Sequence, residues 1–253
     1  MEFGVLLPTE AGVTGGVHDM ALISDMAQSA EEFGYHSLWV GDRPLLTQRL
    51  EPLTTLGFAA AKTKRVRLGT AVLVAPLRNP VQLAQAVASL DVLSGGRMIL
   101  GLGAGAGKTI PEFVATQVPF HERGGIFNEC IRIVKKLWSE DSVTFDGKYY
   151  TLKDVALKLK PRQHNGPPIL VGGFNEQAFK RAATIADGWF PSEISFHQFE
   201  EGVKKTASYA RESARDPSLV SYSFYITINL NENKNKAAQA ACSLGTPAGR
   251  AGV

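Results

Sequence analysis

The chain has 253 residues, 44% of them hydrophobic, and a formal net charge of +3. That length suits one large α/β barrel or two small domains, and the apolar share can fill a sizeable core. The weak, scattered positive charge argues against nucleic-acid binding, because no basic stripe with interleaved aromatics occurs.

The N-terminal MEFGVLLPTE has neither a basic start nor a long apolar segment, so it does not read as a signal peptide. Phe3–Leu7 is a short apolar strand ended by Pro8. Asp19–Phe33 has helical spacing, with Leu22, Met26, Ala30 and Phe33 on one predicted inward face and Gly34 as the stop. Ser37–Val40 is the second strand and leads into Gly41-Asp42-Arg43-Pro44. Pro52–Lys62 is the next helix, with Leu53, Leu56 and Ala60 inward.

Arg65–Ala75 is a Val- and Leu-rich strand. Asn79 can cap the following helix, with Pro80 at its first position, where a missing N–H costs nothing. Leu83, Val87 and Leu90 make its apolar stripe, and Ser94-Gly95-Gly96 stops it. Arg97–Leu102 is a strand running into Gly101-Leu-Gly-Ala-Gly105. Glu122–Ser139 is a strong helix with Ile126, Cys130, Ile133 and Leu137 buried.

The period then changes. Val143–Leu152 alternates around Asp146-Gly147, which signals a hairpin with a two-residue turn. This hairpin, within 140–166, reads as an insertion in the βα alternation. Ile169–Gly172 is a buried strand, and Asn175 can cap the helix after it, with Phe179, Ala182 and Ala186 inward. Gly188–Pro191 is a very short strand. Ser195 and Gln198 form a capping box for another helix. Leu219–Leu230 is the longest strand-like run.

Seven strands, each followed by a helix or a helix start, favour a (β/α)8 barrel over two Rossmann-like domains. The expectation is one barrel domain over 1–253, truncated before its eighth unit, with an irregular tail over 243–253. No stretch approaches the ~20 apolar residues of a membrane span. Cys130 and Cys242 lack metal spacing and fit a reducing compartment. A cytoplasmic location is therefore expected.

In parallel α/β folds ligands sit beyond the carboxyl ends of the strands. Those ends here are rich in glycine and apolar residues and poor in acids, bases and nucleophiles. Such a site suits a planar cofactor that brings its own chemistry. Gly172-Gly173-Phe174-Asn175, between a strand and a helix N-terminus, can take a phosphate or serve only as a tight turn. Asp42 can accept hydrogen bonds from a cofactor or pair with a cation such as Arg43. Thr9, Arg43 and Lys108 are the polar candidates toward a substrate, and Arg43 fits an anionic substrate or a cofactor tail.

Other chemistries lack support. The GxGxG run is not in the first βα turn and lacks the dinucleotide spacing. Gly103–Thr109 ends like a phosphate-binding Lys loop, but Leu102 stands where its first glycine is required. The five histidines show no ligand spacing, so no metal is expected. No GxSxG nucleophile elbow occurs. Glu31-Glu32 and Glu200-Glu201 read as solvated helix faces.

VGD at 40–42, EPLTTLGFAAAKTKRVRLGTAVLVAPLRNPVQLA at 51–84, LDVLSGGRMILGLGAG at 90–105, PFHERG at 119–124, FDGKYYTL at 145–152, PPILVGG at 167–173 and ADGW at 186–189 form a set of segments in fixed order. Together they resemble the luciferase-like monooxygenase superfamily. The likeness is greatest to the branch using the deazaflavin coenzyme F-420, and FMN-dependent members share most of these segments. The resemblance implies a (β/α)8 barrel with an insertion and a flavin or deazaflavin across the strand ends. It implies a non-proline cis peptide at Ala71-Val72 behind the ring. It assigns Asp42, Gly103 and Ala104 to the cofactor, and Gly172, Gly173 and Phe174 to its phosphate. It also implies an organic small-molecule substrate, a flavin or deazaflavin reductase as partner for the FMN alternative, and a homodimer. Two positions depart from the sugar-phosphate dehydrogenases of the deazaflavin branch. Arg43 stands in place of the His after the Asp, and Ala106 in place of the Glu after the glycine run. An inactive remnant that binds a flavin or nothing is the alternative outside the enzymes.

Overall fold

Short apolar runs alternate with capped helices along the chain, and the strands they form pair mainly in parallel. The computed structural model describes residues 1–11, 18–229 and 231–243. It divides into two compact units, Met1–Leu170 and Val171–Val253.

In the first unit the order is β1 (Gly4–Leu6), α1 (Met20–Glu32), β2 (Ser37–Val40), α2 (Pro52–Lys62), β3 (Arg67–Thr70), β4 (Leu73–Val74), α3 (Pro80–Ser94) and β5 (Met98–Gly103). Helices α4 (Ile110–Ala115) and α5 (Arg123–Ser139), the hairpin β6 (Val143–Asp146) and β7 (Thr151–Val155), and the start of β8 (Ile169–Val171) follow. β1, β2, β3 and β5 pair in parallel in that order, with Leu38 opposite Leu68 and Leu68 opposite Met98. β4 runs parallel to the end of β5, with Leu73 opposite Leu102. The core joins Leu7, Leu38, Val40, Leu68 and Met98 of the strand segments to Ile23, Ala27 and Leu56 of α1 and α2.

Local chemistry sets the helix limits. Asn79 accepts the N–H of Val81 at 2.9 Å, and Gly95 closes α3 at φ 76°. Arg97, just before β5, donates to the carbonyls of Ala60, Thr63, Val66 and Ser94, which ties α2 and α3 to the strand ends.

The second unit carries the end of β8, then α6 (Glu176–Thr184), β9 (Gly188–Trp189), α7 (Phe196–Glu212), β10 (Ser221–Tyr222) and α8 (Lys234–Ser243). β9 and β10 are parallel, and the Phe190 N–H donates to the Val171 carbonyl at 2.9 Å. The capping box of Ser195 and Gln198 is present, as the sequence predicts.

Four local expectations need correction. The buried face of α1 is Ile23, Ala27 and Ala30, while Leu22 and Phe33 are exposed. Two alanines on the inner face let the helix approach the strands, so the bulkier neighbours lie outside. The strand expected over Arg65–Ala75 is broken between Thr70 and Leu73.

The hairpin turn is not the two-residue Asp-Gly type. Asp146 pairs with Thr151, and the Gly147 N–H donates to the Tyr150 carbonyl, so four residues make the loop. Buried Glu129 on α5 holds it by accepting the N–H groups of Lys148, Tyr149 and Tyr150 at 2.8, 3.0 and 3.1 Å. Those contacts come from a distant helix, so local turn rules could not anticipate them.

Among its described residues, the long run Leu219–Leu230 keeps only two in a strand, and Ile226 and Ile228 are exposed. Its partner β9 is two residues long and is followed by Pro191, which has no N–H to extend a ladder. Ser243 ends α8, and the rest of the expected tail lies outside the described residues.

Candidate functional site

The end of β2 delivers Asp42 into the protein. Its side chain is 2% exposed. Oδ2 accepts the Val74 N–H at 2.9 Å, and Oδ1 accepts Arg78 Nη2 at 3.3 Å. Arg78 also reaches Glu51 Oε1 at 3.2 Å, and Glu51 caps α2 by accepting the Thr54 N–H at 2.7 Å. Burial pushes the Asp42 carboxyl above its usual range. Arg78 and the Val74 N–H pull it down, and nearby Glu51 and Glu112 push it up again. The cation partner of Asp42 is therefore Arg78, not the neighbouring Arg43.

Asp42, Arg43, Pro44, Arg49, Glu51 and Arg78, with Leu50, line a cavity of about 370 Å³ in the first unit. Arg49 pairs with Glu10. The backbone beside that pair is stitched by Ala11 N–H to Gln48 O and Leu50 N–H to Thr9 O. Glu112 is fully buried; its Oε1 accepts the Leu45 N–H at 3.1 Å, and its Oε2 has no partner among the described residues.

The Ala71–Val72 peptide bond is cis. Val72 lies across the bare end of β5, where a Cβ added to Gly103 would come 2.8 Å from Val72 Cγ2. Thr70 Oγ1 donates to the Gly101 carbonyl at 2.6 Å, which locks β3 to β5 just before the cis bond.

In the second unit, Gly172 and Gly173 leave β8 and precede α6. Gly173 has φ +104°, a conformation that favours glycine. Its carbonyl accepts the Trp189 indole N–H at 2.8 Å. Trp189 is itself packed edge-on against Phe179 and stacked on Phe199. Phe174 is 37% exposed, and Asn175 spends its side-chain oxygen on the Ala178 N–H at 2.9 Å.

Asp42 and the Ala71–Val72 stretch are brought together through Val74, Gly103 ends β5 against Val72, and Ala104 is the partly exposed residue after it. Thr9 is buried and is not among the residues lining the cavity, and Lys108 is exposed in the turn after β5. Arg78, Glu51, Arg49 and Glu112 escaped the sequence reading. Only Glu51 carried a usable signal, as an oxygen-bearing side chain directly before a helix-starting proline. Burial pushes the Cys130 thiol up to about 12, so it is a core group with no thiolate chemistry near neutral pH. Among the described residues, no group of three His, Cys, Asp or Glu could hold a metal, and no helix is long and apolar enough to cross a membrane.

A family model described as luciferase-like monooxygenase matches residues 1–251. The chain belongs to the luciferase-like monooxygenase family. An F420-dependent glucose-6-phosphate dehydrogenase of Kineococcus radiotolerans is 39% identical over 173 residues, which cover 66% of this chain and 51% of that protein. The luciferase-like chain thus spans about half the length of that relative. Among solved structures, the monooxygenase RslO1 of Streptomyces bottropensis aligns with a TM-score of 0.83 at 24% identity, covering 97% of this chain and 76% of that one. The coenzyme F420-dependent tetrahydromethanopterin reductase of Methanopyrus kandleri aligns with a TM-score of 0.81 at 24% identity, covering 95% and 70%. These structures share the α/β fold of the luciferase-like chain.

Proposed function

We propose that the chain is an oxidoreductase that uses coenzyme F-420 with a small organic substrate. The observation that carries this reading is the likeness to an F420-dependent dehydrogenase at 39% identity. The bare glycines of β5 beside Val72 are consistent with it. When bound, the deazaflavin supplies hydride chemistry, so the protein needs few acids and bases of its own.

The residues fit such a group. In the first unit, Ala71, Val72, Gly103 and Ala104 offer a small, partly exposed apolar face for a ring, and Asp42 fixes that face through Val74. In the second unit, the exposed Gly172-Gly173-Phe174 turn before Asn175 and α6 offers backbone donors to an anionic group. Arg43 and Ala106 occupy the positions of the acid/base pair expected in the sugar-phosphate dehydrogenases. The substrate is therefore read as something other than a sugar phosphate handled by that pair.

The finer architecture proposed is a (β/α)8 barrel in which the hairpin is an insertion, assembled as a homodimer in the cytoplasm. A second reading is an FMN-dependent monooxygenase served by a separate reductase, because FMN-dependent members share most of the segments that carry the resemblance. Titration with oxidised F-420 and with FMN, followed by fluorescence, tests both. Tight binding of F-420 alone is the expected result, and binding of FMN alone favours the second reading. Binding of neither, with non-cooperative unfolding, overturns both and leaves an inactive remnant.

A further inference from the structure

We propose that the cavity beside the end of β2 receives the anionic group of the substrate, a carboxylate or a phosphate, with Arg43 as the residue that selects it. The proposal rests on the oxidoreductase reading above for the word substrate, and on the cavity itself for the chemistry.

Three guanidinium groups line this cavity, and two already have carboxylate partners. Arg49 pairs with Glu10 and keeps a buried Nε without a partner among the described residues; its Nη1 lies 2.1 Å from where a Cβ on Gly41 would be, so it is held against the bare backbone. Arg78 is divided between Asp42 and Glu51. The same pairs commit both lining carboxylates, Asp42 and Glu51, to Arg78. Arg43 is half-buried, and its side chain has no ion pair or hydrogen bond among the described residues. A partly desolvated cation without a counter-ion gains when an anion reaches it. The planar guanidinium matches a carboxylate or a phosphate with two parallel N–H donors.

The cavity is of a size to admit a small molecule, about 370 Å³, and Pro44 and Leu50 give it an apolar wall. Its link to the start of β4 favours substrate over cofactor tail. Asp42, next to Arg43 in the chain, holds the N–H of Val74, two residues past the cis bond. The cavity therefore adjoins the stretch assigned to the ring, where the reacting part of a substrate has to come.

The test uses the full chain, with Arg43→Gln and Arg43→Lys. Inorganic phosphate and acetate are titrated by calorimetry, with and without F-420. F-420 and a deazaflavin lacking the anionic tail are titrated by fluorescence. The wild type is expected to bind phosphate or acetate, Arg43→Gln to weaken that binding about tenfold, and Arg43→Lys to fall between. Both deazaflavins are expected to bind Arg43→Gln within about twofold of wild type, because the cavity is not assigned to the tail. Anion binding that is absent, or unchanged in Arg43→Gln, overturns the proposal. So does a loss of F-420 binding with the tail-less compound unaffected, since Arg43 then serves the cofactor. A wild type that binds no deazaflavin and no FMN overturns the oxidoreductase reading instead, and the cofactor-free phosphate titration still decides the anion site. Arg43 leaves no partner orphaned when removed, so the variants are expected to fold, and circular dichroism checks this.

Discussion

The Asp42 carboxylate accepts the backbone N–H of Val74 at 2.9 Å, two residues beyond the cis Ala71–Val72 bond. A side chain at the end of β2 thereby fixes the path of β4. Its other oxygen takes Arg78, so a carboxylate that looked free to meet a ligand is spent inside the protein. Asp42 thus shapes the candidate site by holding it, whatever it touches directly.

Replacing Asp42 with alanine leaves the Arg78 fork short of one acceptor and the Val74 N–H without any. A cost of about 2–4 kcal/mol follows from a buried charged partner and an orphaned N–H. Asp42→Asn keeps the shape and one acceptor oxygen, so its cost is smaller. Urea unfolding with an unchanged slope is the measurement. The pH dependence has a definite sign. Burial raises the folded pKa of Asp42, so its contribution is fully present below the unfolded pKa and falls as pH rises through the folded value. Asp42→Asn removes that fall, and a wild-type and variant pH profile in parallel would expose a wrong sign.

The glycines of β5 separate tight from merely close packing. A Cβ on Gly101 would lie 1.9 Å from the Thr70 carbonyl oxygen, which is backbone and cannot rotate away. Gly101→Ala is expected to cost at least the upper end of about 1–3 kcal/mol. Gly103→Ala meets only Val72 Cγ2, a side-chain methyl at 2.8 Å, and should cost less. Gly57, inside α2, has only Leu90 Cδ1 at 3.9 Å, so Gly57→Ala should stabilise by about 0.5–1 kcal/mol. Three thermal melts rank the series, and a Gly101→Ala protein as stable as wild type would refute the packing.

Glu31 gives a second pH signature of opposite sign. Burial alone would raise its carboxyl, but the N–H groups of Val66, Arg65 and Lys64 outweigh it and hold the pKa below the usual carboxylate range. A depressed pKa contributes stability above the unfolded value, lost as pH falls through the folded one. As the pH falls through that depressed value the turn between α2 and β3 should loosen first, seen as faster amide exchange at Lys64 to Val66. Glu31→Gln should show that faster exchange already at pH 7. Equal exchange in both proteins at both pH values would remove Glu31 from this role.

How much of this was legible in the sequence follows from the range of each interaction. Caps are local: Asn79, Ser195 with Gln198, and Asn175 announced their helices because the capped N–H groups lie two or three residues away. The buried stripe of α5 was also readable, since Ile126, Cys130, Ile133 and Leu137 repeat on one face. The cis Ala71–Val72 bond came from the resemblance of the surrounding segment, since nothing in the two residue types asks for it. Long-range partners were not readable. Glu129 lies about twenty residues from the loop it holds, Arg78 lies 36 residues from Asp42, and Glu31 lies over thirty residues from its three donors. Each was a charged side chain whose solvated reading was the simpler one. The extent of a strand is also a property of its partner, which is why the apolar run after Tyr222 does not continue as a strand beside the two-residue β9.

Trp189 offers a test of the glycine turn in the second unit. Its indole N–H holds the Gly173 carbonyl at 2.8 Å. The Gly173–Phe174 bond is trans, and in a trans peptide the carbonyl and the next N–H point in opposite directions. Tying the carbonyl to a buried indole therefore turns the Phe174 N–H away from it. The indole is steadied by Phe179 and Phe199, and Gly202 leaves it room, since a Cβ there would sit 2.1 Å from the ring. Trp189→Phe keeps an aromatic in the stack, deletes the donor and leaves the space of the lost second ring, so the comparison of phosphate-bearing and phosphate-free ligands carries the test. If the turn binds the phosphate of the cofactor, this variant should weaken FMN or F-420 by about tenfold, the worth of one hydrogen bond to a charged group. Riboflavin, or a deazaflavin lacking the phosphate, should bind variant and wild type alike. An equal loss for both members of a pair would mean that Trp189 supports the fold and not the phosphate. A wild type that binds riboflavin as well as FMN would show that the turn holds no phosphate at all.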